Sequence, residues 1–216
     1  MFLGHVAVGL AAKRVAPRVS LTVLILAAQL ADVIWPALVG LGIEQVVIEP
    51  GHTRVTPLNF ISYPYSHSLF TLALWSIGFA PVFGLSRGRR AVPILAALVV
   101  SHWVLDVITH RPDMPIIPQS DLKLGLGLWN SIPATMAVEF AMYAVGLWIY
   151  LTSTRARDRI GSWGFGVLAA FLIVVYLANV FGPPPPSVSA IWIGALIGAG
   201  VMTLWAWWVD RHRTPV

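Results

Sequence analysis

Residues 91–110 read AVPILAALVVSHWVLDVITH, and the fold is decided by how that stretch is read. About 20 mostly apolar residues, rising 1.5 Å each, cover the roughly 30 Å hydrocarbon core of a bilayer. Within this run His102, Asp106 and His110 recur at every fourth position. On a helix that spacing stacks all three on one face, about one turn apart. The stretch is therefore a membrane helix that carries a row of metal-ligand-type side chains.

The rest of the chain agrees. Of 216 residues 57% are hydrophobic and only 11% charged, and the mean hydropathy is +0.78. A soluble domain carries roughly 25% charge, so a water-facing surface could not be built from this composition. No cysteine is present, which excludes a disulfide scaffold. Further apolar runs lie at 20–42, 66–85, 133–152, 163–182 and 187–209, with a shorter one at 2–16. The expected fold is all-α: a polytopic transmembrane bundle of about seven helices, the first one short. Residues 1–152 would form a five-helix bundle holding the site, and 153–216 would add two helices to the same domain. Pro183 to Pro186 end one helix and turn the chain.

Eleven of the 14 basic residues sit at every second connection: Lys13, Arg14, Arg18; Arg87, Arg89, Arg90; Arg155, Arg157, Arg159; and Arg211, Arg213. Arg54, Arg111 and Lys123 remain for the other side. The positive-inside rule places the N-terminus outside and the C-terminus in the cytoplasm, in a bacterial-type inner membrane. The net charge of +5 thus reflects topology, and no nucleic-acid partner is expected. Membrane lipid is the expected partner, as solvent and as substrate. Tyr63, Tyr65 and Trp129 are expected at headgroup level.

Ionisable groups inside spans are costly and point to function. Here they are His5, Asp32, His67, His102, Asp106, His110 and Glu139. On the assigned topology all seven fall in the outer half of the membrane. His5, Asp32, His67, His102 and Asp106 are the candidate metal ligands. With His and Asp donors and no Cys, zinc fits best. The alternative is a buried polar network or proton relay without metal. His110 could be a ligand, a general acid or an interfacial residue. Glu139 could complete the metal site, take a proton from water or orient a ligand histidine. Ser66, Ser68 and Ser101 read as capping and hydrogen-bonding residues.

The order Gly4-His5, Leu30-Ala31-Asp32 with Pro36, Ser66-His67-Ser68 and Ser101-His102-x-x-x-Asp106-x-x-Thr109 resembles the YdjM-like family of membrane-bound predicted metal-dependent hydrolases. That family is distantly similar to zinc-dependent phospholipase C and the P1-type nucleases. The resemblance covers about residues 4–150 and implies that His5, Asp32, His67, His102, Asp106 and Glu139 occupy ligand positions. Two departures stand out. Ala31-Asp32-Val33-Ile34-Trp35 replaces a Pro-Asp-x-Asp-His pattern, and Ser62-Tyr63 replaces a His-Arg pair.

The functional expectation is a zinc-dependent hydrolase of a lipid-linked, phosphate-ester bond at the outer half of the membrane. Glu139 or Asp32 would act as base and His110 as acid. Arg54, Arg111 and Lys123 would meet an anionic headgroup. A metal or proton transporter is one rival, and a scaffold with a structural metal is another.

Overall fold

Five helices in the computed structural model, which describes residues 1–216, are long and apolar enough to cross a membrane. They are α5 (Leu69–Gly84, extended to Arg87 by a 3₁₀ turn), α6 (Ala91–Thr109), α7 (Ile132–Ser153), α8 (Phe165–Phe181, preceded by a π turn) and α9 (Val188–Asp210). Their outward faces carry apolar side chains such as Leu74, Ile77, Val82, Val145, Trp148, Val174, Ile197 and Leu204. Large exposed apolar faces of this kind suit lipid and not water. Helix makes up 66% of the chain.

Two expected helices differ from their sequence reading. The run at 20–42 breaks into α2 (Leu21–Ala28) and α3 (Leu30–Gly40), bent by 60° about Gln29. If that pair counts as one span, the crossings number six. The opening run is only α1 (Leu3–Ala12), about 15 Å long and too short to cross. It lies at the centre of the bundle, buried over most of its length, so a seventh span is not formed. The chain is also not purely helical. Three two-stranded antiparallel pairs join β1 (Gln45–Ile48) to β2 (Leu58–Ser62), β3 (Met114–Pro115) to β4 (Lys123–Leu124), and β5 (Thr154–Ala156) to β6 (Arg213–Pro215).

Small residues let α1 sit where it does. A Cβ on residue 146 would stand 2.6 Å from the Ala7 carbonyl oxygen, and one on residue 9 would stand 3.0 Å from the Ile25 Cα. Backbones approach this closely only where one partner is glycine. Gly146→Ala should therefore push α1 off α7, with a destabilisation of about 1–3 kcal/mol as for overpacked cores. Denaturant unfolding in lipid or detergent measures it, and a loss below about 0.5 kcal/mol would contradict the close contact.

The two ends of the bundle differ in character. At one end the Lys13 Nζ donates to Asp210 Oδ1 at 3.1 Å, the Arg157 N–H donates to the His212 carbonyl at 2.9 Å, and β5 pairs with β6. The basic connections gather there. At the other end the long connections 43–65 and 110–132 fold over the helices, stitched together by the Arg54 N–H donating to the Trp129 carbonyl at 3.1 Å. Between these ends, beneath the long connections, lie the buried histidines.

Candidate metal centre

The break at Gln29 builds the first wall of the site. Ala28 ends α2, so its carbonyl belongs to the group that a helix leaves unpaired. His102 fills that gap, its Nδ1 donating to the Ala28 oxygen at 2.8 Å. The same break starts α3 afresh, with Asp32 in its first turn, where the helix dipole favours a carboxylate. A single interruption thus orients His102 and places Asp32 opposite it.

His67 is delivered by a second interruption. The four-residue α4 (Pro64–His67) ends at it, and Ser68 then adopts an extended conformation and caps α5, its Oγ accepting from the Thr71 N–H at 3.2 Å. His67 therefore closes one short helix and does not open the next. Its neighbour Ser66 donates to Glu44 Oε2 at 2.6 Å and accepts from His67 Nδ1 at 2.7 Å. Glu44 is itself buried, with Oε1 accepting from the Tyr65 and Ser66 amides at 2.8 and 2.9 Å. Since a carboxylate only accepts, this chain of bonds fixes the His67 proton on Nδ1 and leaves its Nε2 lone pair free.

Asp106 is the hub. Its Oδ2 lies 3.1 Å from His102 Nε2 and 3.8 Å from both His67 Nε2 and His110 Nε2. Its Oδ1 lies 3.0 Å from His5 Nε2 and 2.5 Å from the Met1 amino group. Asp32 Oδ1 stands 3.6 Å from His67 Nε2 and 3.8 Å from His102 Nε2. The His5 and His102 rings stack with centroids 3.8 Å apart. Two triads have ligand atoms within 4.8 Å of one another: His5, His102 and Asp106, and Asp32, His67 and His102. All five candidate metal ligands are thus brought into one cluster.

The residues fit a divalent cation on three counts. Tetrahedral zinc with bonds of about 2.0–2.1 Å has ligand atoms about 3.3 Å apart, close to the 3.1–3.8 Å seen around Asp106 Oδ2. The His102 Nε2 and His5 Nδ1 are buried without a hydrogen-bond partner. Above all, with Nδ1 donating to Ala28, neutral His102 turns its Nε2 lone pair towards a carboxylate oxygen 3.1 Å away. Two acceptors at that distance repel unless a metal ion lies between them or a second proton turns His102 into an imidazolium that donates to Asp106.

No family model, curated protein or solved structure matches the chain. What can be said of the site rests on its own geometry.

The remaining candidates separate by location. Glu139, buried on α7, uses Oε2 to accept from the Leu3 and Gly4 amides at 2.6 and 3.2 Å. It caps the start of α1 and so fixes the turn that carries His5. His110 follows the end of α6 and lines a cavity of about 150 Å³ together with Asp32, His67, Asp106, Phe60 and Trp129. Asp32 is the open group of the cluster, its side chain 44% exposed. Arg54 and Arg111 are exposed on the long connections, with Arg111 Nη1 3.2 Å from both ring nitrogens of His52. Lys123 lines a neighbouring cavity of about 390 Å³, which it shares with Tyr63, Tyr65 and Asp113. None of these three basic residues lines the smaller cavity.

Tyr63 is buried within the protein and donates to Asp113 Oδ1 at 2.7 Å. Burial and the Asp113 carboxylate push its phenol well above the usual tyrosine range, so it remains a donor. Trp129 packs on the His110 ring, centroids 4.3 Å apart. Only Tyr65 is exposed. Glu44, Tyr63 and Asp113 were not singled out as site residues from sequence. The pairing of Ser66 with His67 was the one local hint of a supporting shell.

Proposed function

We propose that this chain is a membrane-embedded, metal-dependent hydrolase of lipid-linked phosphate esters, akin to the YdjM-like family that its His/Asp pattern resembles. The observation that carries the reading is the opposed pair His102 Nε2 and Asp106 Oδ2, 3.1 Å apart with no proton assigned between them by their other partners. His102, His67, His5 and Asp106 would hold the ion, zinc being the best match to the donor set. When bound, the ion supplies a Lewis acid and an activated water at neutral pH.

The protein's own groups do the rest. Asp32 lines the cavity and is half open, which suits it to accept a proton from the attacking water. Glu139 acts through the backbone of α1, holding His5 in register. Lys123, Arg111 and Arg54 supply the positive charge around the long connections that an anionic headgroup would meet. The cluster lies among apolar helices towards the end of α6 away from the basic connections: His102 and Asp106 are about 18 and 24 Å along α6 from Arg90, and Asp106 is three residues from its end at Thr109. That level suits a bond near a lipid headgroup, which reaches it by lateral diffusion. The open cavity beside Asp32 favours a working site over a closed structural one. With the positive-inside rule, the cavity would face the periplasmic side.

The test is turnover. Zinc-loaded protein in vesicles of mixed membrane phospholipids should release headgroups or phosphate, and His102→Ala should release at least about 100-fold less, as expected when a metal's chemistry is lost. Faster hydrolysis of a soluble phosphodiester than of any lipid would overturn the lipid assignment. Zinc-independent turnover, or none of either substrate, would overturn the hydrolase and favour a structural metal.

A further inference from the structure

His110 carries the same kind of support as His67, though it comes from different elements. Its Nδ1 lies 3.0 Å from Asp113 Oδ1, and that oxygen also accepts from the Tyr63 hydroxyl at 2.7 Å. A carboxylate only accepts, so neutral His110 has its proton on Nδ1 and its lone pair on Nε2. That Nε2 stands 3.8 Å from Asp106 Oδ2, matching the distance from His67 Nε2. The ring is held between Trp129 and Phe60, with centroids 4.3 and 5.1 Å away. It is thus fixed in orientation by aromatic walls and fixed in tautomer by a carboxylate. A histidine prepared in this way presents an acceptor, whereas a leaving group would need a donor.

We infer that His110 Nε2 is a further ligand of the cation, and that Asp113, steadied by Tyr63, is the positioning residue that delivers it. The inference rests on the metal reading of the cluster and extends it. Three imidazole nitrogens, each with its Nδ1 proton committed elsewhere, then surround one carboxylate oxygen: His67 through Ser66 and Glu44, His102 through the Ala28 carbonyl, His110 through Asp113. Carboxylate–histidine pairs of this type raise ligand basicity and hold the ring in place, and their loss costs about 10–100-fold in metal affinity. Tyr63 stands where the YdjM-like pattern has a different residue pair, so this chain supplies its own support at that point.

The experiment measures zinc affinity by chelator competition on the full-length protein in lipid nanodiscs, with cobalt as a visible probe. Asp113→Asn keeps the shape but removes the anionic acceptor, which weakens the hold on the His110 Nδ1 proton and lets the amide N–H compete for that nitrogen. It should weaken zinc binding about 10–100-fold and alter the cobalt spectrum. ¹⁵N resonances of His110 in the metal-free protein should show Nδ1 protonated in the wild type and a smaller share of that tautomer in the variant. Tyr63→Phe keeps the carboxylate and should give a smaller loss in the same direction; it decides the matter if Asp113→Asn does not fold. Wild-type zinc affinity in Asp113→Asn, or an unprotonated Nδ1 in the wild type, would overturn the inference while leaving the metal cluster standing. A wild-type protein that binds no zinc would overturn both.

Discussion

Asp106→Asn should reduce zinc affinity by well over 100-fold, more than the loss of any supporting residue. The side chain keeps its shape, so the bundle should still assemble. What changes is the hub itself. Asp106 Oδ2 is the point around which His67, His102 and His110 gather, and Oδ1 faces His5. An amide cannot offer two anionic oxygens, and its NH₂ group would oppose an ion. The loss should also appear as stability. An ion present at about 1,000 times its dissociation constant stabilises the folded state by about 4 kcal/mol. Zinc should therefore raise the melting temperature of the wild type and leave that of Asp106→Asn unchanged. Affinity within threefold of the wild type would remove Asp106 from the ligand set.

Lys13→Met should destabilise the fold by about 3–5 kcal/mol while leaving zinc affinity unchanged. Lys13 and Asp210 are only 5% and 14% exposed, and each has further partners. The ammonium also donates to the Val19 carbonyl at 2.9 Å, and Asp210 Oδ2 accepts from the Leu21 amide at 3.0 Å. The pair thus ties the α1–α2 connection and the start of α2 to the last residue of α9, at the end of the bundle away from the cluster. Removing the lysine leaves a buried carboxylate with a single backbone donor. Pairs with this little solvent are screened weakly, unlike surface ion pairs worth under about 1 kcal/mol. Denaturant titration of both proteins measures the effect. A loss below about 1 kcal/mol would show that water reaches the pair.

The cluster was legible because its members violate the composition around them. His5, Asp32, His67, His102 and Asp106 interrupt runs that are otherwise apolar, and in a bilayer such groups must find each other. The i,i+4 spacing of His102 and Asp106 gave even their local geometry. The break at Gln29 was not legible, since no glycine or proline marks it. It is held by a contact 74 residues away, the bond from His102 to the Ala28 carbonyl, and sequence windows do not see such contacts. Pro36 lies inside α3 and is not where the chain bends. The α1 helix misled through its hydropathy: residues 2–16 are apolar because they sit at the centre of the bundle, not because they cross it. The supporting groups Glu44, Tyr63 and Asp113 were hidden for a third reason. They lie in long connections where polar residues are ordinary, and only the fold brings them against His67 and His110.

The central claim is that a divalent ion sits among these side chains, and anomalous diffraction at the zinc edge tests it most directly. Crystals of the full-length protein grown from lipid with equimolar zinc should show a peak about 2.0–2.2 Å from His102 Nε2 and from an Asp106 oxygen, with His67 and His110 completing the set. A map with no anomalous peak inside the bundle, or with zinc only at the peripheral His52 and His212, would contradict the account.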